Sequence, residues 1–124
     1  MEFSDEDAKA LLEERLSNPN LPNLVSNGKV RILGYALRKM LVRNKPPVYF
    51  IGYFPKNAIY DFAWDIETAL EACQALARRK KSVEPKEDIG FARINGESLL
   101  ECFKSNGFDE CGIKPEAIYT VNYG

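Results

Sequence analysis

The sequence predicts an α+β fold: two N-terminal helices, then a β-β-α-β-α-β run whose mostly antiparallel sheet is packed by helices. Three observations carry that prediction. Apolar residues recur at helical spacing over 5–17 and 65–81, and two runs rich in aromatic and β-branched residues flank a short turn between 48 and 64. An alternating run at 89–94 then leads into a short apolar-striped segment. At 124 residues the chain has the length of one domain, with a helical part over 1–47 and a sheet-and-helix part over 48–124.

The first helix is predicted from Asp5 to about Ser17. Ser4 is a good N-cap, and Asp5, Glu6 and Asp7 fill the first turn, where the helix dipole favours anions. Phe3 is placed to staple onto Ala8, and Ala8, Leu11, Leu12 and Leu16 form one apolar stripe. Prolines and asparagines at 18–23 end it in a turn-rich loop.

A second helix is expected over 32–43 on Leu33, Ala36, Leu37, Met40 and Leu41, with a short strand at 29–33 as the alternative for its start. Asn44-Lys45-Pro46-Pro47 terminates it, because proline has no amide hydrogen and disfavours helix in the residue before it. The runs 48–54 and 58–64, joined across Pro55-Lys56-Asn57, predict a β-hairpin. Asp65 caps a helix reaching to about Lys81, with Ile66, Ala69, Leu70, Cys73, Leu76 and Ala77 on its core face and Arg78 to Lys81 at its cation-favouring end. A strand follows at 89–94, then a turn at Asn95-Gly96. The helix after it, over 97–105, is built on Leu99, Leu100 and Phe103 and ends at Asn106-Gly107. Strand segments at 111–113 and 118–123 close the chain.

Composition narrows the chemistry. There is no histidine, so a His-assisted nucleophile, a His-ligated metal and His acid–base catalysis have no residue to work with in this chain. The three cysteines have no Cys-x-x-Cys spacing, which argues against a disulfide framework or a zinc site; no metal and no cofactor are expected. Met1 to Asp7 is acidic, the reverse of a secretory leader, and no apolar run reaches the ~20 residues of a membrane span. The expectation is a cytoplasmic protein without membrane contact.

The sheet-and-helix part resembles a known family. The hairpin running into a capped helix (58–76), the stretch Gly90-Phe91-Ala92-Arg93-Ile94-Asn95-Gly96-Glu97-Ser98-Leu99-Leu100, and Gly112-Ile113-Lys114-Pro115-Glu116 together are similar to the N-terminal domain of the SseB (enhanced serine sensitivity) family. The similarity covers residues 48–124 as a pattern. The Thr-Ser helix start of that family stands as Trp64-Asp65 here, and its Asn-Pro turn as Lys114-Pro115. The resemblance implies a compact, non-enzymatic module and carries over no catalytic residue; the family's loose connection is with sulfur transfer and serine tolerance.

Charge supplies the candidate site. Between Arg15 and Tyr60 lie eight bases and no carboxylate, whereas residues 1–14 hold six acids against one lysine. In its bland meaning such segregation is a solvated face that compensates the acidic first helix. In its functional meaning it is a docking face for an acidic partner protein, made of Arg31, Tyr35, Arg38, Lys39, Arg43 and Lys45. A net charge of −1 makes nucleic acid the less favoured partner of that face. The hairpin aromatics Tyr49 and Tyr53 join the candidate set if helices cover one side of the sheet and leave the other open; a second layer of helix, or the N-terminal segment, covering them is the equal alternative. Cys102 or Cys111 as a reactive thiol is a third possibility, set back by neighbouring carboxylates that oppose thiolate formation. The pair Asp61 and Asp65 is the weakest: no feature of the sequence would raise one carboxyl above the other.

Overall fold

The computed structural model describes residues 4–19, 24–53, 58–79, 88–106, 117–119, 121 and 123. Along the chain run α1 (Asp5–Leu16), α2 (Leu24–Val42), β1 (Val48–Tyr53), β2 (Ala58–Ala63), α3 (Ile66–Arg79), β3 (Ile89–Ile94), α4 (Gly96–Asn106) and β4 (Ala117–Tyr119). The strands form one antiparallel sheet in the order β2-β1-β3-β4. The α+β class and the two leading helices are as the sequence predicts.

Helix ends follow local chemistry. The Ser4 hydroxyl accepts from the Asp7 amide at 3.1 Å and Asp7 accepts from the Ser4 amide at 3.3 Å, a reciprocal capping box. The Asp65 carboxylate accepts from the Thr68 amide at 2.7 Å and from its hydroxyl at 3.0 Å, which starts α3. Asn95 is an N-cap as well as a turn residue: its side-chain oxygen accepts from the Glu97 amide at 2.8 Å, so α4 begins directly off the end of β3.

Two expectations change here. Helix α2 begins at Leu24, eight residues ahead of the predicted start, and continues through the proposed strand at 29–33. The last strand is β4 at 117–119, not 118–123. The Phe3 staple, the Pro55–Asn57 turn, the Gly107 cap and the strand at 111–113 lie outside the described residues.

The core has two parts, one on each side of the sheet. On the first, Leu33, Ala36, Leu37 and Met40 of α2 meet Val48 and Phe50 of β1, Ile59 of β2 and Ile94 of β3; Ala8 and Leu12 of α1 and Leu99, Leu100 and Phe103 of α4 complete it. On the second, Ala69, Cys73 and Leu76 of α3 cover Ile51, Ala63, Ile89 and Phe91. Because β2 and β3 both run antiparallel to β1, they are parallel to each other, and α3 is the crossover between them. Helices therefore sit on both faces. The alternative of one open, aromatic face is overturned by this second layer.

A β-bulge makes the packing consistent. Ile59 and Phe62 are three residues apart yet both belong to the α2 side, which an unbroken strand forbids because successive side chains alternate. The pairing steps from Ile51–Asp61 to Gly52–Ile59, leaving Tyr60 as the extra residue that resets the alternation. Opposite it, Gly52 is required: a Cβ there would lie 2.0 Å from the Ala58 carbonyl oxygen. On the outer side of β2, Asp61 Oδ1 accepts from the Phe62 amide at 2.8 Å.

Candidate functional site

Helix α1 lies antiparallel against α2, so the acidic N-terminal end of one meets the basic C-terminal end of the other. The contact is apolar at its centre, through Ala8 and Leu12, and ionic at both ends. Arg38 Nη1 lies 3.7 Å from Glu13 Oε2, and Lys45 Nζ lies 2.9 Å from Asp5 Oδ2. Part of the charge segregation is thus an internal match between the two helices.

Lys45 is placed by an unusual turn. Its amide donates to the Met40 carbonyl at 2.9 Å, closing α2, while Asn44 and Lys45 have φ of 64° and 58°. Asparagine accepts this left-handed conformation readily; a lysine there costs roughly 1–2 kcal/mol. The turn is held from below by α4, whose Gly96 comes so close that a Cβ would lie 2.5 Å from the Pro46 carbonyl oxygen. Lys45 also reaches Glu97 at 3.7 Å, and Lys104 of α4 bonds the same Asp5 carboxylate. Hydrogen bonds from Lys104 and then Lys45 hold the Asp5 carboxyl below its ordinary range, and the Asp5 partner raises both ammoniums. This cluster is a latch joining α1, the α2 terminus and α4. It removes Lys45 from the set of groups open to a partner.

Beyond the latch, Lys9 and Glu13 of α1 face Arg38, Lys39, Val42 and Arg43 of α2 across a groove of about 320 Å³. Val42 is 76% exposed, a large apolar side chain left at the surface among cations. Three of those cations lie over aromatic rings: Arg38 over Tyr35 at 5.5 Å, Lys39 over Phe62 at 5.9 Å and Arg43 over Trp64 at 4.8 Å. Phe62 and Trp64 are themselves packed edge-on, centroids 5.6 Å apart. Among the described residues, Lys9, Lys39 and Arg43 have no carboxylate within ion-pair distance; Arg38 has Glu13.

Of the eight residues singled out from the sequence, the structure brings Arg38, Lys39 and Arg43 together at this groove, with Tyr35 behind Arg38. Arg31 is half-buried, further back along α2, and does not line it. The hairpin pair is not a surface. Tyr53 is only 7% exposed, and Tyr49 points to the α3 side, packed edge-on to Phe91 at 6.0 Å. The layer formed by α3 with Tyr119, Val121 and Tyr123, the covering layer that the sequence holds as the alternative to an open face, is the reason.

Lys9, Glu13 and Val42 were not anticipated. Lys9 is one of two bases, with Arg15, in an acidic helix, and only the antiparallel pairing of α1 with α2 turns it toward Arg38 and Arg43. Val42 follows the last core residues of α2 in sequence but stands off the i, i+3, i+4 stripe of Leu33, Ala36, Leu37 and Met40, on the opposite side of the helix, so its spacing is itself the signal of an outward residue.

The remaining candidates have structural occupations. Burial pushes the Cys73 thiol up to about 11, partly offset by its hydrogen bond with Tyr123, whose own hydroxyl is raised by burial and donates to the Ile89 carbonyl. A thiol held neutral and fully buried is a core group. Cys102 is half-buried on α4, and Cys111 lies outside the described residues. Asp61 bonds its own strand, and the amide and hydroxyl of Thr68 lower the Asp65 carboxyl by bonding its charged form. Among the described residues no cluster of His, Cys, Asp and Glu is placed to hold a metal ion. None of their helices is long and apolar enough to cross a membrane.

Comparison with protein-family models, with curated proteins and with solved structures finds no match to this chain.

Proposed function

We propose that the protein is a non-catalytic binding module that docks an acidic partner protein on the outer face of α2, at the groove formed with α1. The observation that carries this reading is the set of ring-backed cations around the exposed Val42. A cation held over an aromatic face loses less side-chain freedom on binding than a free one, so less of the interaction energy goes into ordering it. Arginine beside an apolar anchor is also the composition enriched at the centres of protein interfaces. A charge run that was only a solvated face would need neither the rings nor the apolar centre. The resemblance to the SseB family, which rests on sequence pattern, is compatible with a compact module of this kind.

Immobilised wild-type protein and a Lys39→Glu/Arg43→Glu variant, each exposed to native cell lysate, test the reading. The expected result is a protein retained by the wild type and lost by the variant, whose capture is restored when acidic residues at its contact are reversed to lysine. Capture unchanged by the double reversal would reject the groove as a docking site. A nucleic acid bound in place of a protein would instead show affinity falling about linearly with salt on logarithmic axes, one unit of slope per phosphate neutralised.

A further inference from the structure

We propose that the occupant of the groove is an acidic amphipathic helix, and that Glu13 holds Arg38 in the partner's place until that helix arrives; this rests on the docking reading above. The first support is that α2 already binds a helix of this chemistry. Helix α1 lays Ala8 and Leu12, one turn apart, against α2, and sets carboxylates from Asp5 and Glu13 against Lys45 and Arg38 at the two ends of the contact. Helix α1 is thus a template, present in the molecule, for what this face accepts.

The second support is the construction of the groove. Its walls are two antiparallel helices, and among the described residues it is lined by Lys9, Glu13, Arg38, Lys39, Val42 and Arg43. An extended peptide gains its affinity from main-chain hydrogen bonds at a sheet edge, and among the described residues no strand lines this groove. A helix laid in a groove relies instead on side chains one turn apart, which is the spacing of Lys39 and Arg43 on one wall and of Lys9 and Glu13 on the other. Carboxylates at i and i+4 of the incoming helix match Lys39 and Arg43, and an apolar side chain on the same face covers Val42.

The third support is Glu13, the one anion in the lining among the described residues. Glu13 lies within the groove and would repel an acidic occupant, except that it neutralises Arg38 at 3.7 Å in the free protein. Both side chains are substantially exposed, so the pair is weak and exchangeable. Binding swaps one carboxylate on Arg38 for another, and Glu13 turns to solvent or to Lys9.

The test uses two blocked peptides of equal charge titrated into the isotope-labelled full chain by NMR. One places leucines at i, i+3 and i+4 among glutamates; the other has the same residues except for a central proline that breaks the helix. The expected result is that the helical peptide shifts the amides of Lys9, Arg38, Lys39, Val42 and Arg43 and binds at least about tenfold more tightly than the proline peptide, whose helix is broken at its centre. Glu13→Gln should then raise affinity about two- to fivefold, the worth of one exposed ion pair. Equal affinity for the two peptides would overturn the helical occupant and leave the acidic docking reading standing. No binding of either, while lysate capture still depends on Lys39 and Arg43, would overturn the helical occupant alone; no binding together with unchanged capture would remove both. Unchanged or weaker affinity of Glu13→Gln for the helical peptide would overturn the placeholder role.

Discussion

The two sides of the sheet are closed by similar apolar side chains but present different surfaces. On the α2 side, Phe50 sits under a helical hairpin whose outer rim carries ring-backed cations, an exposed valine and a latch of opposite charges. On the α3 side, Phe91 is stacked on Tyr119 at 4.7 Å, and the buried Cys73 thiol and the part-buried Tyr123 hydroxyl are turned inward. A helix layer needs an apolar stripe to fold, and only its other side is free to carry a recognition surface, which we propose for the α2 layer. Burial alone therefore says little about which face works, whereas the partners of the charged groups say much.

The sharpest way to break this comparison is to empty each core in turn. Phe50→Ala and Phe91→Ala should each cost about 3–5 kcal/mol in urea unfolding, since both rings are essentially fully buried. A loss at Phe91 under about 1 kcal/mol, the range of an ordinary surface change, would mean that the α3 layer is not a packed core.

Next, pH separates the two sides. The Cys73 pKa is raised in the folded protein from an ordinary 9.0 to about 11, so the folded state holds its proton longer than the unfolded one. Its contribution is intact below pH 9 and is lost as pH rises toward 11, with Tyr123 acting in the same direction above it. Asp5 is lowered from 3.8, so its contribution is intact above that value and is lost as pH falls below it. Lys45 and Lys104, raised from 10.5, release the latch only at the far alkaline end. Stability curves against pH should show Cys73→Ala flattening the fall that begins above pH 9 while leaving the acid limb in place. Asp5→Asn should weaken the limb below 4, where Asp65 also contributes, and the far alkaline end, where Lys45 and Lys104 lose the same partner, while leaving the fall between 9 and 11 in place. A changed acid limb in Cys73→Ala would show that the two sides are not independent.

The smallest effect belongs to the rim. Arg43→Ala should cost about 0.5–1 kcal/mol through the lost contact with Trp64, and clearly less in a Trp64→Leu background, a coupling that a double-mutant cycle in thermal unfolding reads directly. Equal costs in both backgrounds would mean that the ring does not hold the cation.

Local patterns carried much of this fold. Helix α3 is legible because Ala69, Cys73 and Leu76 keep one period and Asp65 caps it; β1 and β2 are legible from their aromatic and β-branched runs. The start of α2 is not, since Ser26, Asn27 and Gly28 are poor helix formers and their propensities are overridden in the folded chain. The bulge at Tyr60 was hidden too, because it is a property of two strands in register and not of either alone. Half of the groove follows from charge, at Arg38, Lys39 and Arg43; Val42 follows from its place off the apolar stripe, and Lys9 and Glu13 depend on which helix packs beside them. The hairpin tyrosines failed as site residues for the same reason: alternation separates two faces but does not say what covers each one.

The open edge at β2 bears on how the protein behaves when it is crowded. A six-residue strand at the end of a sheet is a template on which another molecule's strand could add, and repeated addition is the route to fibres. Here the Phe62 amide is already taken by the exposed Asp61 carboxylate, and the bulge at Tyr60 bends the edge out of regular register. A strand arriving from solution would have to break that bond and set its own carbonyls against a negative charge. One aspartate and one extra residue thus favour the dispersed molecule over a stack of copies, at a position that has no part in the groove.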